Sequence, residues 1–267
     1  MRKLSLALVL VLMTQVLTSC VAVPTPQGPD DSDLMPYISE RTVQVKIYRR
    51  LYDGDKIFKE TTPHGWGTGT VLWSKDLYSY VLTAQHVVAT DGDFAIIYDE
   101  QTKDFKILRA EYFITLERRN LRNEVVDIAV HVEIVKTNSK LDLALLKVPY
   151  HFGIDNTNVA LGVKLGEKIH CVGYPSQRYI KGAHISYAFG HIMSINLGQK
   201  SHPGVIRIGM GLYNGSSGGG IFNERGELVA VTQFMAGWPT DSGFLPLQNS
   251  FYGVGPQAIR HFLYTQK

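Results

Sequence analysis

The sequence predicts an all-β fold from residue 41 onward. Short runs that alternate apolar and polar residues follow one another, and turn-forming residues separate them. One of these runs, residues 125–135, is rich in β-branched side chains. Only the last segment, residues 256–264, places apolar residues at helical spacing. Many short strands with few helical periods favour a barrel or a sandwich.

Each predicted element has a local reason. Val43, Val45 and Ile47 alternate with polar neighbours, and Asp53-Gly54 then supplies a hairpin turn. The next strands flank a turn-like segment at 74–76. Further apolar runs complete the prediction, with strands at 70–73, 79–83, 125–135, 143–148, 170–173, 205–208 and 228–233. Proline in the first turn of 256–264 suits a closing helix, and too little chain follows it for a second domain.

Composition and charge exclude several function classes. The chain has 267 residues, of which 45% are hydrophobic and 19% charged, which is the composition of a folded protein. Lys and Arg exceed Asp and Glu by only three, so the net charge gives no support for nucleic-acid binding. The histidines show no metal-ligand spacing, and no phosphate loop or dinucleotide fingerprint is present. We therefore expect no metal and no cofactor.

The N-terminus predicts export and anchoring. Residues 1–19 combine Arg2 and Lys3 with an apolar run at 4–17, which is typical of a signal peptide and too short for a membrane span. The ending Leu17-Thr18-Ser19-Cys20 resembles the lipobox of bacterial lipoproteins, in which the cysteine becomes the lipidated first residue. This resemblance implies a lipid anchor at Cys20 in the bacterial cell envelope, facing the periplasm or the exterior. The alternative is an ordinary signal peptide in which Cys20 is incidental.

Residues 20–40 are predicted to be a lipidated tether. Four prolines and several aspartates favour an extended segment that buries little apolar surface. The only other cysteine, Cys171, lies in an apolar stretch and is expected to be a small core residue.

Three segments carry the residues that can do chemistry. In the Gly-Ser segment 215–220, glycines let backbone N–H groups converge on a substrate oxygen, although a plain flexible turn is the alternative. An apolar strand ends near His86, and Asp142 lies within a second apolar run. A buried carboxylate needs a partner, and a histidine N–H is a suitable one. Together these segments supply a nucleophile, a base and an orienting acid.

These segments resemble the chymotrypsin-fold serine proteases, and within them the bacterial HtrA (Deg) protease domain. The matching strings occur in family order over residues 60–262: GWGTGTV from Gly65, LTAQHVV from Leu82, LDLALLK from Leu141, GYP from Gly173, the stretch 186–195 around Gly190, NGSSGGG from Asn214 and GELV from Gly226. The chain order His, Asp, Ser also matches the chymotrypsin arrangement.

The resemblance implies a fold and a set of roles. Residues 41–267 would form two six-stranded antiparallel β-barrels with the active site between them and a C-terminal helix. His86 would be the general base, Asp142 would orient it, and Ser217 would be the nucleophile. The backbone N–H groups of Gly215 and Ser217 would form the oxyanion hole.

The acid and the nucleophile each have a second candidate residue. Asp127 also precedes an apolar run, but the string around Asp142 matches the family better. Ser216 adjoins the nucleophile, but the family places the serine directly before the glycine pair, which selects Ser217. In trypsin-like zymogens the position of Ser216 holds an aspartate that pairs with a freed N-terminus, and here that acid is missing. Whether the loop 213–216 is preformed is left open.

The predicted substrate-binding residues are apolar or neutral. By resemblance, 209–213 and the strand 233–235 would line the pocket for the residue before the scissile bond, and that strand would pair with the substrate backbone. Neither stretch contains Asp or Glu, which disfavours a Lys or Arg preference, whereas Arg207 leaves an acidic preference open. The lining residues named by this reasoning are Met210, Leu212, Gln233, Phe234 and Met235.

The sequence thus favours a serine endopeptidase that cleaves unfolded or extended polypeptides. A catalytically silent binding or chaperone-like module is the alternative. HtrA proteins commonly carry PDZ domains after the protease domain, and none is expected here. The residues leave oligomeric state and natural substrate open.

Overall fold

The computed structural model describes residues 31–60, 64–90, 92–100, 102–175, 184–195, 204–212, 214–240 and 243–265. Residue Cys20 and the predicted signal segment lie outside the described residues, so the lipid anchor stays a prediction. In the described part of the chain, no helix is both long enough and apolar enough to cross a membrane.

The described elements are mostly strands. The helices are α1 (Asp31–Glu40), α2 (Gln85–Val88) and α3 (Pro256–Tyr264). The strands of the first half are β1 (Thr42–Asp53), β2 (Lys56–Glu60), β3 (Gly65–Lys75), β4 (Tyr78–Ala84), β5 (Phe94–Asp99), β6 (Asp104–Arg119), β7 (Val125–Ala129), β8 (Glu133–Asn138) and β9 (Leu143–Val148). Those of the second half are β10 (Lys168–Gly173), β11 (Ser186–Ile195), β12 (Val205–Gly209), β13 (Gly220–Asn223), β14 (Leu228–Thr240) and β15 (Gly243–Val254).

The first half is a curled sheet of nine strands. Its hydrogen-bonded path is β5-β6-β1-β3-β4-β9-β8, with β2 paired to β1 and β7 paired to β6. The long strands β1 and β6 extend beyond the other strands, and together with β2 and β5 they form a four-stranded arm. The pairing of β4 with β9 brings Ala84 opposite Leu143, so the ends that precede His86 and follow Asp142 meet.

The second half is a closed barrel. Six antiparallel strands pair in the order β10-β11-β12-β15-β14-β13. The ladder between β14 and β15 skips Gln233, because Thr232 pairs with Gly253 and Phe234 with Tyr252. This irregularity frees the backbone of one residue beside the segment 214–219.

Apolar clusters fill each half and join the two. One lies inside the first sheet, around Val45, Val81 and Leu146, and another inside the barrel, around Ile169 and Ile208. A further cluster combines residues of both halves with both long helices: Leu34 and Ile38 of α1, Leu82 and Leu143 of the first half, Phe222 and Val231 of the barrel, and Ile259 and Phe262 of α3. Burial of this shared cluster fixes the two halves against each other.

Several expected elements match the structure. The strand at 143–148 and the helix at 256–264 have the expected bounds, and the hairpin turn after Asp53 forms at Gly54 and Asp55. The run 125–135 is two strands, β7 and β8, separated by a break at 130–132. The expected six strands per barrel are found in the second half, whereas the first half has nine.

The expectation of an extended tether was wrong for residues 31–40. These residues form α1, in which Leu34 and Ile38 lie one turn apart on one face and are buried in the shared cluster. The helix tolerates Pro36 in its interior. Apolar burial therefore outweighs the composition that suggested an extended chain.

Candidate active site

His86 lies where strand β4 ends. The chain leaves β4 at Ala84 and makes the single turn α2, whose Val87 and Val88 are buried while the His86 side chain is 48% exposed. Those two valines anchor the turn in the core of the first half. The backbone that carries the imidazole is therefore anchored in the core, and the ring is open to solvent at the junction of the two halves.

Asp142 holds both the backbone and the ring of His86. Its Oδ2 lies 2.7 Å from His86 Nδ1, and its Oδ1 accepts a hydrogen bond from the His86 backbone N–H at 2.8 Å. The Asp142 carbonyl also accepts from the Gln85 N–H at 3.0 Å. Three contacts thus fix the imidazole so that Nδ1 faces the carboxylate and Nε2 is the nitrogen left for chemistry.

The backbone of Asp142 is strained. Its φ is 50°, in the left-handed region that non-glycine residues rarely adopt, although aspartate is among the more tolerant. Such a conformation persists only where its surroundings hold it. The strain turns the carboxylate back toward His86, which lies in the neighbouring strand connection.

The loop that carries Ser217 is a tight backbone turn. Gly215 and Gly218 have φ of 93° and 83°, which a residue with a side chain would adopt only with strain. The loop is tied to strand β14 on one side by the bond from Gly218 N–H to Thr232 O at 2.7 Å. On the other side, Thr68 N–H donates to Ser217 O at 2.8 Å.

Close packing places this loop against the end of strand β4. A Cβ built on Gly218 would lie 2.1 Å from Thr83 Oγ1, 2.3 Å from Thr68 O and 2.7 Å from Ala84 N. A Cβ on Gly67 would meet both Val87 and Ser217 O at under 3 Å. The Ser217 segment and the turn that carries His86 therefore pack on the same strand, β3.

The Ser217 side chain faces β14 in this structure. Its Oγ donates to the backbone O of Gln233 at 3.3 Å. The structure thus brings the segments of all three predicted catalytic residues together, and it shows a direct side-chain contact for the His86–Asp142 pair.

Thr68 is a residue of the site that sequence reasoning missed. Its hydroxyl donates to Gly215 O at 2.7 Å and accepts from Tyr174 N–H at 3.1 Å, while its carbonyl accepts from Thr83 Oγ1 at 2.7 Å. It therefore links the Ser217 loop to both halves. Its position between two glycines in GWGTG was the available signal, but its partners Gly215 and Tyr174 are more than a hundred residues away in the sequence.

Asp127, the competing acid, lies in a separate ion pair. Its carboxylate accepts from Arg118 Nε at 2.6 Å and also from the Tyr150 hydroxyl. That Tyr150 hydrogen bond raises the pKa of the Tyr150 hydroxyl above its ordinary value. The geometry therefore favours Asp142 as the partner of His86.

Of the five predicted substrate-binding residues, Met210, Leu212 and Gln233 are buried. Met210 and Leu212 are 2% and 6% exposed and pack in the barrel core. Gln233 is buried as well. Phe234 and Met235 lie on β14, but their side chains are outside the described part of the structure. Arg207 is half-buried on β12.

Among the described residues, neither a metal-binding cluster nor a reactive thiol accompanies this site. The described residues contain no group of three or more His, Cys, Asp or Glu side chains that could hold a metal ion. Cys171 is buried in the barrel as expected, and burial raises the pKa of its thiol to about 12. A thiol of that kind is not a nucleophile at neutral pH.

Comparison with known families decides the class of this domain. The family model described as the trypsin-like peptidase domain matches residues 67–231. The chain belongs to the trypsin-like peptidase domain family. The matched range includes His86, Asp142 and Ser217 and begins at the glycine that packs between Val87 and Ser217. The domain is thus a serine protease domain, and the family expected from the sequence motifs is confirmed.

A solved structure confirms the fold. The serine endoprotease from Yersinia pestis aligns with a TM-score of 0.55 at 16% sequence identity, over 87% of this chain and 64% of that one. The two-barrel, chymotrypsin-like fold with a closing helix is therefore confirmed. This chain spans less than two thirds of the length of the Yersinia protein. No curated protein matches the sequence.

Proposed function

We propose that this trypsin-like domain is a serine endopeptidase that cleaves unfolded or extended polypeptides through an acyl-enzyme. The observation that carries the proposal is the His86–Asp142 pair beside the Ser217 loop, in which Asp142 holds the His86 ring by one hydrogen bond and the His86 backbone N–H by another. In this family arrangement an oriented imidazole and a serine at a glycine turn form the reacting pair.

The proposed reaction has two halves. The hydroxyl of Ser217 turns from Gln233 O to His86, Nε2 takes its proton, and Oγ attacks the scissile carbonyl carbon. His86 then gives that proton to the leaving amine, and an acyl-serine ester remains. Water, deprotonated by the same nitrogen, attacks the ester carbonyl; the bond to Ser217 Oγ breaks, His86 returns the proton to that oxygen, and the acid product is released. Asp142 stays ionised throughout and stabilises the imidazolium.

The oxyanion hole is proposed to consist of the Gly215 and Ser217 N–H groups. Support comes from the bond between Thr68 Oγ1 and Gly215 O, because it fixes the orientation of the peptide between the two donors. Loss of one such donor costs about 3 kcal/mol of transition-state stabilisation.

The substrate is proposed to add to strand β14 as an extended chain. The ladder irregularity at Gln233 leaves backbone groups beside Ser217 outside the barrel pairing, and β-strand addition uses such groups. By the family resemblance Phe234 and Met235 would give the adjoining pocket an apolar character, whereas Met210 and Leu212 are buried in the barrel core. Neither of the stretches that carry them contains an acid, which disfavours cleavage after Lys or Arg.

We further propose that the mature protein is attached to a bacterial envelope membrane through lipid on Cys20. The support is the string Leu17-Thr18-Ser19-Cys20 after an apolar run. Replacement Cys20→Ser should move the protein from the membrane fraction to the soluble fraction. Unchanged partitioning of that variant would contradict the anchor and leave the protease proposal intact.

One observation favours the alternative, a catalytically silent binding or chaperone-like module. In this structure the Ser217 hydroxyl donates its hydrogen bond to Gln233 O rather than to His86. A fluorophosphonate probe separates the two functions, since it reacts only with an activated serine. Stable labelling that disappears in Ser217→Ala supports the peptidase, whereas an unlabelled wild-type protein supports the silent module.

A further inference from the structure

Gln233 occupies an unusual position between the two halves. It lies in β14 at the residue that the ladder with β15 skips, and its side chain is only 3% exposed. The side chain leaves the barrel and reaches the first half, where Nε2 donates to Leu141 O at 2.5 Å. Leu141 directly precedes Asp142.

Two triad-bearing segments therefore contact the same glutamine. Through its side chain, Gln233 holds the backbone that leads into Asp142. Through its main-chain oxygen, it accepts the Ser217 hydroxyl at 3.3 Å. Asp142 in turn holds His86 by two hydrogen bonds. The path from the nucleophile to the acid thus passes through one residue.

The strained backbone of Asp142 needs such support. Its φ of 50° would relax toward ordinary values if the neighbouring backbone could move. A relaxed Asp142 would swing its carboxylate away from His86 Nδ1. A hydrogen bond on the carbonyl just before Asp142, buried beneath the shared apolar cluster that includes Leu141, opposes this movement.

The amide is also poorly satisfied as a purely structural group. Gln233 Oε1 is buried, and none of the described residues offers it a hydrogen bond. A buried amide with an unpaired oxygen is disfavoured compared with an apolar side chain of the same shape. Its Nε2 satisfies the buried Leu141 carbonyl, but the unpaired Oε1 offsets that gain, so stability alone gives little reason for glutamine at this position.

We propose that Gln233 is a positioning residue of the active site. It acts through Asp142: its amide N–H holds the acid-bearing loop so that the carboxylate stays aligned with His86. This inference rests on the proposed peptidase function, and it replaces substrate lining as the role of the Gln233 side chain.

The test uses Gln233→Met in the full-length protein. Methionine keeps the length and volume but removes the donor and the unpaired oxygen. We expect kcat on an extended peptide to fall about 10- to 100-fold, because a small displacement of a catalytic group costs this much. KM should change less than about threefold, and the melting temperature should change little, because removal of the unpaired oxygen offsets the loss of the donor to Leu141 O. Gln233→Asn, which is too short to reach Leu141, should show the same loss of kcat.

A double-mutant cycle distinguishes positioning from a structural role. In an Asp142→Asn background, Gln233→Met should have little further effect on the rate of fluorophosphonate labelling, because the group it positions is already lost. The matched control is Tyr112→Phe, since the Tyr112 hydroxyl is also buried without a hydrogen-bond partner among the described residues and lies on β6 in the arm, opposite Arg49 and away from the site. It should leave kcat unchanged.

Three results would overturn the inference. Wild-type kcat in both Gln233 variants would remove it, as would independent, multiplicative losses in the cycle, and as would an equal loss of kcat in Tyr112→Phe. If the wild-type protein is not labelled at Ser217, the proposed function fails and this inference fails with it. A labelled, active wild type with insensitive Gln233 variants contradicts only the positioning role.

Discussion

The two halves of the molecule contribute to the site in different ways. The first half supplies His86 and Asp142 on neighbouring strand connections, and three hydrogen bonds within that half already align them. The barrel supplies Ser217 on a glycine turn, and that turn depends on contacts with the first half through Thr68, Thr83 and Ala84. The hydrogen bonds of the proposed acid–base pair thus lie within the first half, with added support from Gln233 across the junction, whereas the proposed nucleophile is positioned across the junction.

This difference separates two kinds of failure. Damage within the first half should misalign the imidazole without moving the serine, whereas damage at the junction should move the serine relative to an intact imidazole–carboxylate pair. Variants at matched positions can test this separation, and the following four are given from the largest expected effect to the smallest.

The largest effect should come from removing one reacting group in each half. Ser217→Ala and His86→Ala should each lower kcat about 10⁶-fold, because the groups act as a unit. The double variant should be no slower than either single one, as measured by peptide hydrolysis. The melting temperature should hardly change, since the His86 side chain is half-exposed and the Ser217 hydroxyl donates one hydrogen bond, to Gln233 O. A double variant much slower than the singles would show that the halves act independently.

The two aspartates of the first half should separate catalysis from stability. Asp142→Asn should lower kcat about 10⁴-fold by favouring the wrong imidazole tautomer. Asp127→Asn should leave kcat unchanged but lower the free energy of unfolding by about 3 kcal/mol, because it leaves the partly buried Arg118 without its charged partner. Steady-state kinetics and urea unfolding measure both. The acid assignment is wrong if Asp127→Asn has the larger kinetic effect.

The junction itself can be tested with two glycines of positive φ. In Gly218→Ala the new methyl group would meet backbone and side-chain atoms at 2.1–2.7 Å, so we expect a loss of more than about 4 kcal/mol in the free energy of unfolding. In Gly54→Ala nothing lies within 4 Å, and the cost should be only about 1 kcal/mol of backbone strain. Equal losses in urea unfolding would mean that the loop does not pack against the first half as described.

The smallest effect should come from one hydroxyl at the junction. Thr68→Val removes the bonds to Gly215 O and Tyr174 N–H, and we expect kcat to fall about 100-fold as the oxyanion loop loosens. Thr70, two residues along β3, is also fully buried, but its Oγ1 has no hydrogen-bond partner among the described residues. Thr70→Val should therefore be neutral or stabilising. Similar kinetics for the two variants would contradict a special role for Thr68.

Much of this architecture could be predicted from local patterns. Strand β9 and helix α3 have the expected bounds, because β9 is a buried apolar run and α3 has a strong helical period that begins with proline. Family strings identified the residues that form the observed His86–Asp142 pair and the Ser217 loop. These signals lie within a few residues of the feature that they predict.

Strands β5 and β6 of the arm were not predicted, because β5 lacks alternation between apolar and polar residues. Along β5, Phe94, Ile96 and Tyr98 face one side and Ala95 and Ile97 the other, so both faces are apolar. On the neighbouring strand β6, Ile107 pairs with Ile96 and Phe105 pairs with Tyr98. The large side chains on this shared face are each more than half exposed: Phe94, Ile96, Tyr98, Phe105 and Ile107. A pattern that assumes one buried face and one polar face therefore misses this hairpin.

The contacts of Thr68 and Gln233 could not be predicted from the sequence for another reason. Each depends on a partner far along the chain, Gly215 for Thr68 and Leu141 for Gln233, so nothing in the neighbouring residues indicates them. Helix α1 was missed because its proline and two aspartates hide two apolar residues whose burial needs the packed helix α3.

Cys171 is a natural probe of transient opening of the barrel. Its sulfur is enclosed by β10 and its neighbours, and burial keeps it protonated. Because disulfide exchange and alkylation require a thiolate in contact with water, a reagent such as a maleimide can reach it only while the barrel is open. The rate of that modification at this residue, in protein whose Cys20 has been replaced, would therefore time the opening of one half without any label added to the chain.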